Sequence, residues 1–334
     1  MNNKLKLGVS ALCGSLAAVS AANAGDLTVS GGADLTWQSM DDTTTGNPIG
    51  IGSNYGLSGS GELDNGWTVS LGINMTNKNI YSNTDVTITV PALGDFIISN
   101  GVSGSGIDRM DDVTPNVWEE AYASGLSTGI NTVAGGSGGT GIEWTPNMLP
   151  DGLTARIHWT PDSGGSNIND KATGGAGDGD TGWDVTLVAT DAITGMTGLT
   201  VGGGISEVEE TWTNSDGDRE EMTVYATYAV GGFTLGYQWS EEDLGISSNE
   251  QQYDNEGYGI TFAVNDDLSI GYNHYESKQT STTNVTAEAD SMQISYSYGG
   301  ASIRIMDASA DNMDYSTAVT QDRDNTVISL GLAF

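Results

Sequence analysis

Strict alternation of apolar and polar side chains is the feature that most constrains how this chain can fold. Between Trp67 and Met75, every second side chain is apolar, and the intervening positions hold threonine, serine, glycine and asparagine. A repeat of two residues is that of a β-strand with one apolar and one polar face. No convincing helical periodicity occurs elsewhere. The sequence therefore predicts an all-β fold.

The alternation recurs in sixteen segments, separated by connections of two kinds. The segments are 26–38, 54–63, 67–76, 84–90, 94–100, 139–146, 152–160, 182–190, 198–206, 220–230, 232–241, 256–264, 267–276, 290–299, 300–308 and 324–334. Short connections rich in glycine, proline, asparagine and aspartate alternate with longer polar ones. This arrangement predicts an antiparallel up-and-down meander, with both chain ends on the side of the short turns.

The two faces of these strands favour a transmembrane barrel over a soluble β-sandwich. We expect no charged side chain in the apolar phase, because a charge facing mid-bilayer lipid costs about 2–4 kcal/mol. The opposite phase is polar, and its charged members are predicted to line a pore wall: Asp34, Glu62, Glu143, Arg156, His158, Asp184 and Arg304. Closing the sheet removes its edges. Sixteen strands are enough to leave an aqueous channel.

The N-terminal segment has the pattern of a secretory signal. A basic start is followed by an apolar stretch too short to span a bilayer, and then by Ala22-Asn23-Ala24. We expect residues 1–24 to be removed and residues 25–334 to form the barrel. Cys13 lies in the removed segment, so disulfides, thiolate metal sites and cysteine nucleophiles are excluded from the mature protein.

The composition is strongly acidic, with 44 Asp and Glu against 10 Lys and Arg. Nucleic acid is excluded as a partner, since little here could neutralise phosphates. The same excess of acids predicts a preference for cations. With two histidines and no nucleophile motif, an enzyme is not indicated, and no cofactor is expected. Calcium at the acidic loops around Asp178-Gly-Asp180 and Asn214–Asp218 stays open, although Arg219 occupies the place of the glycine that a calcium loop needs.

The segment 101–138 is the longest connection and carries its own apolar side chains, among them Ile107, Met110 and Trp118. Long loops in compact domains are usually functional. We therefore expect it to fold inward, with an external cap as the alternative. Its acids would then form one side of an electrostatic filter: Asp108, Asp111, Asp112, Glu119 and Glu120. Arg156, His158 and Arg304 would oppose them, unless the two arginines merely pair with Glu143 or Asp184.

Four sequence motifs follow one another along the chain: the opening strand 25–33, Leu93-Gly-Asp-Phe-Ile-Ile98, Ile107-Asp-Arg-Met-Asp-Asp-Val-Thr-Pro115, and the ending 325–334. In this order they resemble the general porins of Gram-negative bacteria, especially those of alphaproteobacteria. The resemblance covers residues 25–334. It implies passive diffusion of small hydrophilic solutes through a homotrimer in the outer membrane, in contact with its lipid and lipopolysaccharide. It also implies a constriction formed by 101–138, and a terminal Phe334 that the barrel-assembly machinery reads.

The chain departs from this resemblance in its shortage of basic groups, because constrictions in the family usually oppose an acidic loop to clustered arginines. Two other functions remain open. One is a substrate-specific outer-membrane channel, for example for sugars, which would need a stacked aromatic track. The other is a secreted, acidic, β-rich surface protein or adhesin.

Overall fold

The computed structural model describes residues 27–40, 47–77, 80–101, 104–136, 139–163, 181–210, 217–246, 252–280 and 284–333. The predicted signal segment and Phe334 lie outside these residues. Within them there are sixteen strands: β1 (Thr28–Met40), β2 (Ile49–Glu62), β3 (Thr68–Thr76), β4 (Ile80–Val90), β5 (Gly94–Gly101), β6 (Gly141–Thr145), β7 (Leu153–Thr160), β8 (Gly182–Ala189), β9 (Leu199–Val208), β10 (Arg219–Val230), β11 (Phe233–Asp243), β12 (Gln252–Ala263), β13 (Leu268–Thr280), β14 (Val285–Tyr298), β15 (Ala301–Asp311) and β16 (Arg323–Ala333). Short helical turns lie at Gly106–Met110, Ala121–Ala123, Asp191–Thr194, Met313–Tyr315 and Val319–Gln321.

The sheet is a closed antiparallel barrel in which every strand pairs with its neighbours in sequence. The first and last strands close it, with Leu35 opposite Leu330 and Trp37 opposite Ile328. Closure gives every strand two hydrogen-bonded neighbours, so no edge is left unpaired. The predicted sixteen-stranded antiparallel β-barrel is thereby confirmed.

Several strands extend further towards the long connections than the alternation predicts. β2 begins at Ile49 rather than near 54, and β14 begins at Val285 rather than near 290. The expectation of an outward phase free of charge is wrong at these ends, where Glu256, Glu276 and Asp290 occupy outward positions. At the start of β14 the ladder therefore continues past the apolar band, where both faces can be polar and alternation no longer marks the strand. In the extension of β2, Ile49 and Ile51 still belong to the apolar outer face.

The outer face of the barrel is apolar over most of its described surface. Large side chains such as Ile51, Trp159 and Leu187 point away from the barrel axis and stay exposed. An apolar surface of this extent is suited to hydrocarbon and not to water. No helix in the described part of the chain is long and apolar enough to cross a membrane.

The buried apolar residues lie inside the barrel and not between two sheets. Ile107, Met110, Ala121, Leu126 and Val133 are all at most 5% exposed, and all belong to the connection between β5 and β6. We call the described part of this connection, residues 104–136, the inner loop. It forms the core of the molecule together with inward-facing side chains of the strands.

Candidate functional site

The inner loop lies against the inside of the wall and contacts it at points distributed over many strands. On β11, the side-chain amide of Gln238 donates to the backbone oxygen of Met110. On β16, Asn325 donates to the backbone oxygen of Ser124 at 2.6 Å. These strands present their other face to the outside, so the inner loop occupies the lumen.

The first end of the inner loop is held by a buried carboxylate on β6. Glu143 is 1% exposed and accepts hydrogen bonds from the Gly106 backbone amide at 2.7 Å and from the Arg109 guanidinium at 2.8 and 3.1 Å. Arg156 on β7 lies 3.8 Å from the same carboxylate. One acid therefore connects the wall both to the backbone and to a side chain of the loop.

A second buried acid lies beside the returning end of the inner loop. Asp184 on β8 is fully buried, and one of its carboxylate oxygens lies 2.6 Å from Nδ1 of His158 on β7. Its other oxygen accepts a hydrogen bond from the Gly136 backbone amide at 3.3 Å. The pair thus contacts the loop instead of facing open water.

Glu221 on β10 adds a third carboxylate contact at the same end. Its carboxylate accepts hydrogen bonds from the backbone amides of Ala134 and Gly135, both at 2.8 Å. Arg219, two residues earlier on the strand, donates to the Gly135 backbone oxygen at 2.6 Å. Carboxylates that accept backbone N–H groups make strong, charge-assisted hydrogen bonds. The ends of the inner loop are therefore fixed to the wall by acids.

Between these ends, inward-facing glycines let the loop approach the sheet closely. A Cβ atom on Gly236 would overlap the ring of Pro115, and one on Gly259 would overlap the Pro115 backbone oxygen. Only glycine leaves room for a second backbone at this distance from a strand. The middle of the loop is consequently pressed against β11 and β12.

The inner loop leaves one side of the lumen open, towards β1–β4. A cavity of about 440 Å³ on this side is lined by Trp118 and Glu119 of the loop and by Asp34, Asn54 and Asn77 of the wall, among others. We call this space the passage and Trp118-Glu119 its edge. A further cavity of about 800 Å³ is lined by residues of β1–β4, by Arg304 and by the β14–β15 turn.

Arg304 on β15 links the edge of the passage to β1. Its guanidinium lies 4.9 Å from the ring centroid of Trp118, within the range of a cation–π contact. The same group donates to the carboxylate of Asp34, and to Ser329 Oγ at 2.9 Å. Its charge is therefore paired where it meets the passage.

The wall of β3 and β4 on the open side is lined by amides in a hydrogen-bonded chain. Asn74 Nδ2 donates to Asn83 Oδ1 at 2.9 Å, and Asn83 Nδ2 donates to Asp85 at 2.6 Å. Asn77 Oδ1 accepts the Ser53 backbone amide at 2.8 Å. These side chains offer dipoles and one acid to the water, and no positive charge.

The acids of the inner loop are perturbed mainly by their burial. Burial, reinforced by the neighbouring Asp112, Asp108 and Glu120, raises the pKa of Asp111 to about 7. Burial likewise raises the pKa of Glu120 to about 7. The pKa of Glu119 is raised by burial as well, and the nearby Arg304 opposes that shift. Near neutral pH, Asp111 and Glu120 are therefore partly protonated, which lowers the negative charge of the loop.

The structure distributes the sequence-predicted residues over several environments. Asp108, Asp111, Asp112, Glu119 and Glu120 all lie on the inner loop; Glu119 borders the passage, and Asp111 borders a small space between the loop and the inner wall. Asp34 and Arg304 border open lumen, whereas Glu143, His158 and Asp184 lie behind the loop. Arg156 is near Glu143, and Glu62 is exposed at the short-turn end of β2.

Sequence reasoning did not single out several residues that contact the inner loop. They are Arg219, Glu221, Gln238, Glu242, Asn273, Gln293, Asn325 and the glycines at 236 and 259. All occupy inward positions of strands. The sequence does carry a signal for these contact residues, because long amide and acid side chains interrupt an inner phase that otherwise consists of small residues.

No group of three or more histidine, cysteine, aspartate or glutamate side chains in the described residues is arranged to hold a metal ion. Of the loops with an oxygen-rich pattern, Asp178, Asp180, Asn214 and Asp216 lie outside those residues. Calcium binding there stays a prediction.

Known proteins resemble the chain in sequence pattern and in fold. A sequence profile of the Gram-negative porin family matches residues 8–318. No curated protein matches the sequence significantly. An anion-selective porin from Comamonas acidovorans is 11% identical, with 93% of this chain and 100% of that chain covered and a TM-score of 0.70.

Two further solved structures have the same architecture. OmpF of Salmonella typhi, in complex with daunomycin, is 14% identical, with 93% of this chain and 98% of that chain covered and a TM-score of 0.66. OmpT of Vibrio cholerae, in its trimer form, is 10% identical, with 93% and 99% covered and a TM-score of 0.64. At these identities the likeness is one of fold.

Proposed function

Since the chain belongs to the Gram-negative porin family and is an outer-membrane porin channel, we propose that it admits small hydrophilic solutes by passive diffusion and prefers cations. Its family and fold are those of channel proteins and not of enzymes. The inner loop acts as the constriction in this proposal, with its edge facing the wall of β1–β4.

The charge distribution along the passage is the observation that carries the cation preference. Among the described residues lining it, the charged ones are Asp34 and Glu119. Arg304 lies next to them and forms an ion pair with Asp34, so these two charges offset each other and Glu119 supplies the net negative charge of the passage. The wall opposite Glu119 offers the amides of Asn54 and Asn77. Because fixed negative charge in a narrow lumen attracts counter-ions, cations should be enriched there.

The barrel fold does not by itself decide the sign of selectivity. A protein of similar fold is described as an anion-selective porin. Selectivity must therefore follow from the side chains at the constriction, which differ between proteins of one architecture. In this chain the charged and amide side chains that line the passage are Asp34, Glu119, Asn54 and Asn77.

General diffusion is favoured over a sugar-specific channel by the scarcity of aromatic rings in the passage. The described lining residues include a single aromatic side chain, Trp118. Arg304 already lies over its ring. A track for sugars would require several rings in succession, each with an accessible face.

Reversal potentials in a potassium chloride gradient test this proposal directly. The purified protein in a planar bilayer should show a cation preference, and Glu119→Gln should lower the ratio of cation to anion permeability by about twofold. Glu62→Gln is the matched control, since Glu62 is an inward acid exposed at the short-turn end, away from the edge. Anion preference of the unmodified channel would contradict the proposal.

The proposal extends to assembly in the outer membrane. The chain forms a homotrimer, as one solved protein of similar fold is described in a trimer form. It contacts lipid and lipopolysaccharide, residues 1–24 direct its export, and the barrel-assembly machinery reads Phe334. Conductance steps that occur in threes, and loss of membrane assembly when Phe334 is deleted, are the expected results.

A further inference from the structure

A buried glutamine on β14 is bound to the three residues that form and precede the edge of the passage. Gln293 is 2% exposed and faces the lumen. Its Oε1 accepts hydrogen bonds from the backbone amides of Trp118 at 3.0 Å and Val117 at 3.3 Å. Its Nε2 donates to the backbone oxygen of Glu119 and, at 2.7 Å, to Ser291 Oγ. Both lone pairs and both protons of the side-chain amide are therefore used.

A second amide supports the same backbone oxygen. Asn273 on β13 is fully buried and donates to the Glu119 oxygen at 3.2 Å. Ser291, which pairs with Asn273 across the two strands, donates to its Oδ1 at 2.8 Å. The three polar side chains form one connected network with satisfied partners, an arrangement that rigidifies the groups it holds.

This network determines how three consecutive side chains are distributed. Val117 packs towards the wall, where its Cγ1 would be 3.2 Å from a Cβ placed on Gly271. The next two residues, Trp118 and Glu119, line the passage. A rotation of the backbone here would move the Glu119 carboxylate and the Trp118 ring together. The two groups that border the passage on the loop side are thus placed by the amide of Gln293.

We propose that Gln293 is a positioning residue that sets the ion selectivity of the channel, although it does not border the passage itself. The inference rests on the proposed cation-preferring function and names the residue that holds the selective groups in place. Loss of its amide leaves the backbone N–H groups of Val117 and Trp118 without their acceptor, and the Glu119 oxygen with Asn273 as its remaining donor, so the edge can move. Arg304 would then follow Trp118, with which it is in contact.

The alternative is that Gln293 only stabilises the fold, and the chain offers a matched control for that role. Gln238 is also a buried inward-facing glutamine, 6% exposed, on β11. Its amide donates to the Met110 backbone oxygen and to Thr223 Oγ1 at 3.0 Å. It therefore fixes the inner loop at Met110, eight residues before Trp118.

The experiment compares Gln293→Met with Gln238→Met, since methionine keeps the volume of glutamine and removes its hydrogen bonds. Each full-length variant is reconstituted in a planar bilayer with a potassium chloride gradient, and its urea unfolding is followed in detergent. We expect both variants to unfold more easily. Only Gln293→Met should change the cation-to-anion permeability ratio, lowering it by about twofold.

A milder variant keeps the test decisive if Gln293→Met does not assemble. Ser291→Ala removes one partner of Gln293 and the donor to Asn273, and it should shift the permeability ratio in the same direction by a smaller factor. Unchanged ratios in every assembled variant, with lowered stability, would overturn the positioning role. An equal change in Gln238→Met would also overturn it. If the unmodified channel prefers anions, the proposed function itself fails.

Discussion

The two sides of the inner wall have similar chemistry and opposite environments. On the side covered by the inner loop, Glu143, Asp184 and Gln293 are at most 2% exposed. On the open side, Asn54 and Asn74 are exposed to the lumen. All five are polar side chains in the inward phase of a strand, and only the presence of the loop separates them.

A polar inner face therefore does not by itself indicate contact with water. On the covered side, the long acids and amides accept or donate hydrogen bonds to the backbone of the loop, and each has to be satisfied because it is buried. On the open side, the side chains can exchange partners with water. Substitutions should therefore affect stability on the first side and permeation on the second.

The largest expected effect comes from removing a buried acid on the covered side. Glu143→Ala leaves the Gly106 amide and the Arg109 guanidinium without their acceptor, and should lower the free energy of unfolding by about 3 kcal/mol. Asp85→Ala on the open side removes a hydrogen bond with Asn83 and should cost about 1 kcal/mol. Urea titration in detergent measures both values. Equal losses would remove the distinction between the two sides.

Replacing one glycine on each side by valine tests the same comparison, because the substitution adds side-chain volume. Gly236→Val places methyl groups against Pro115 on the covered side, and overpacking of this kind should cost about 2 kcal/mol. A Cβ atom placed on Gly72, on the open side, meets no atom within 4 Å, so Gly72→Val should leave stability nearly unchanged. The second variant should instead reduce single-channel conductance, because its side chain enters the lumen. A stable Gly236→Val protein with unaltered conductance would contradict the close approach of the loop.

The smallest expected effect is the pH dependence of the loop acids. Burial raises the pKa of Asp111 and Glu120 to about 7, so the folded state binds more protons than the unfolded state between about pH 4 and pH 7. Their contribution to stability is therefore fully present below pH 4 and is lost as the pH rises through 7. Allowing for solvent screening of these half-buried groups, we expect a loss of about 1 kcal/mol over this interval.

The variants Asp111→Asn and Glu120→Gln check the origin of that dependence. Both should flatten the decline in unfolding free energy between pH 4 and pH 7, since an amide does not titrate. Glu62→Gln, at the exposed end of β2, should leave the decline as it is. A decline that persists in the double variant of the loop acids would assign it to other groups.

The positions of the strands could be predicted from sequence because the signal is local. In β3, for example, each apolar residue from Val69 to Met75 points outward as the alternation predicts. The predicted starts of β2 and β14 were wrong, because both strands begin earlier, at Ile49 and Val285. At the start of β14, beyond the apolar band, lipid no longer requires alternation, so that segment has the sequence pattern of a loop.

The sequence by itself determined that this chain is a closed barrel of sixteen strands with an apolar exterior, because each strand has to alternate between lipid and lumen. Only the tertiary structure decided which inward residues meet water and which hold the inner loop. Gln293 and Trp118 are 175 residues apart, and Asn325 and Ser124 are 201 apart. Contacts over such separations leave no periodic pattern along the chain, because they depend on where the loop crosses the barrel.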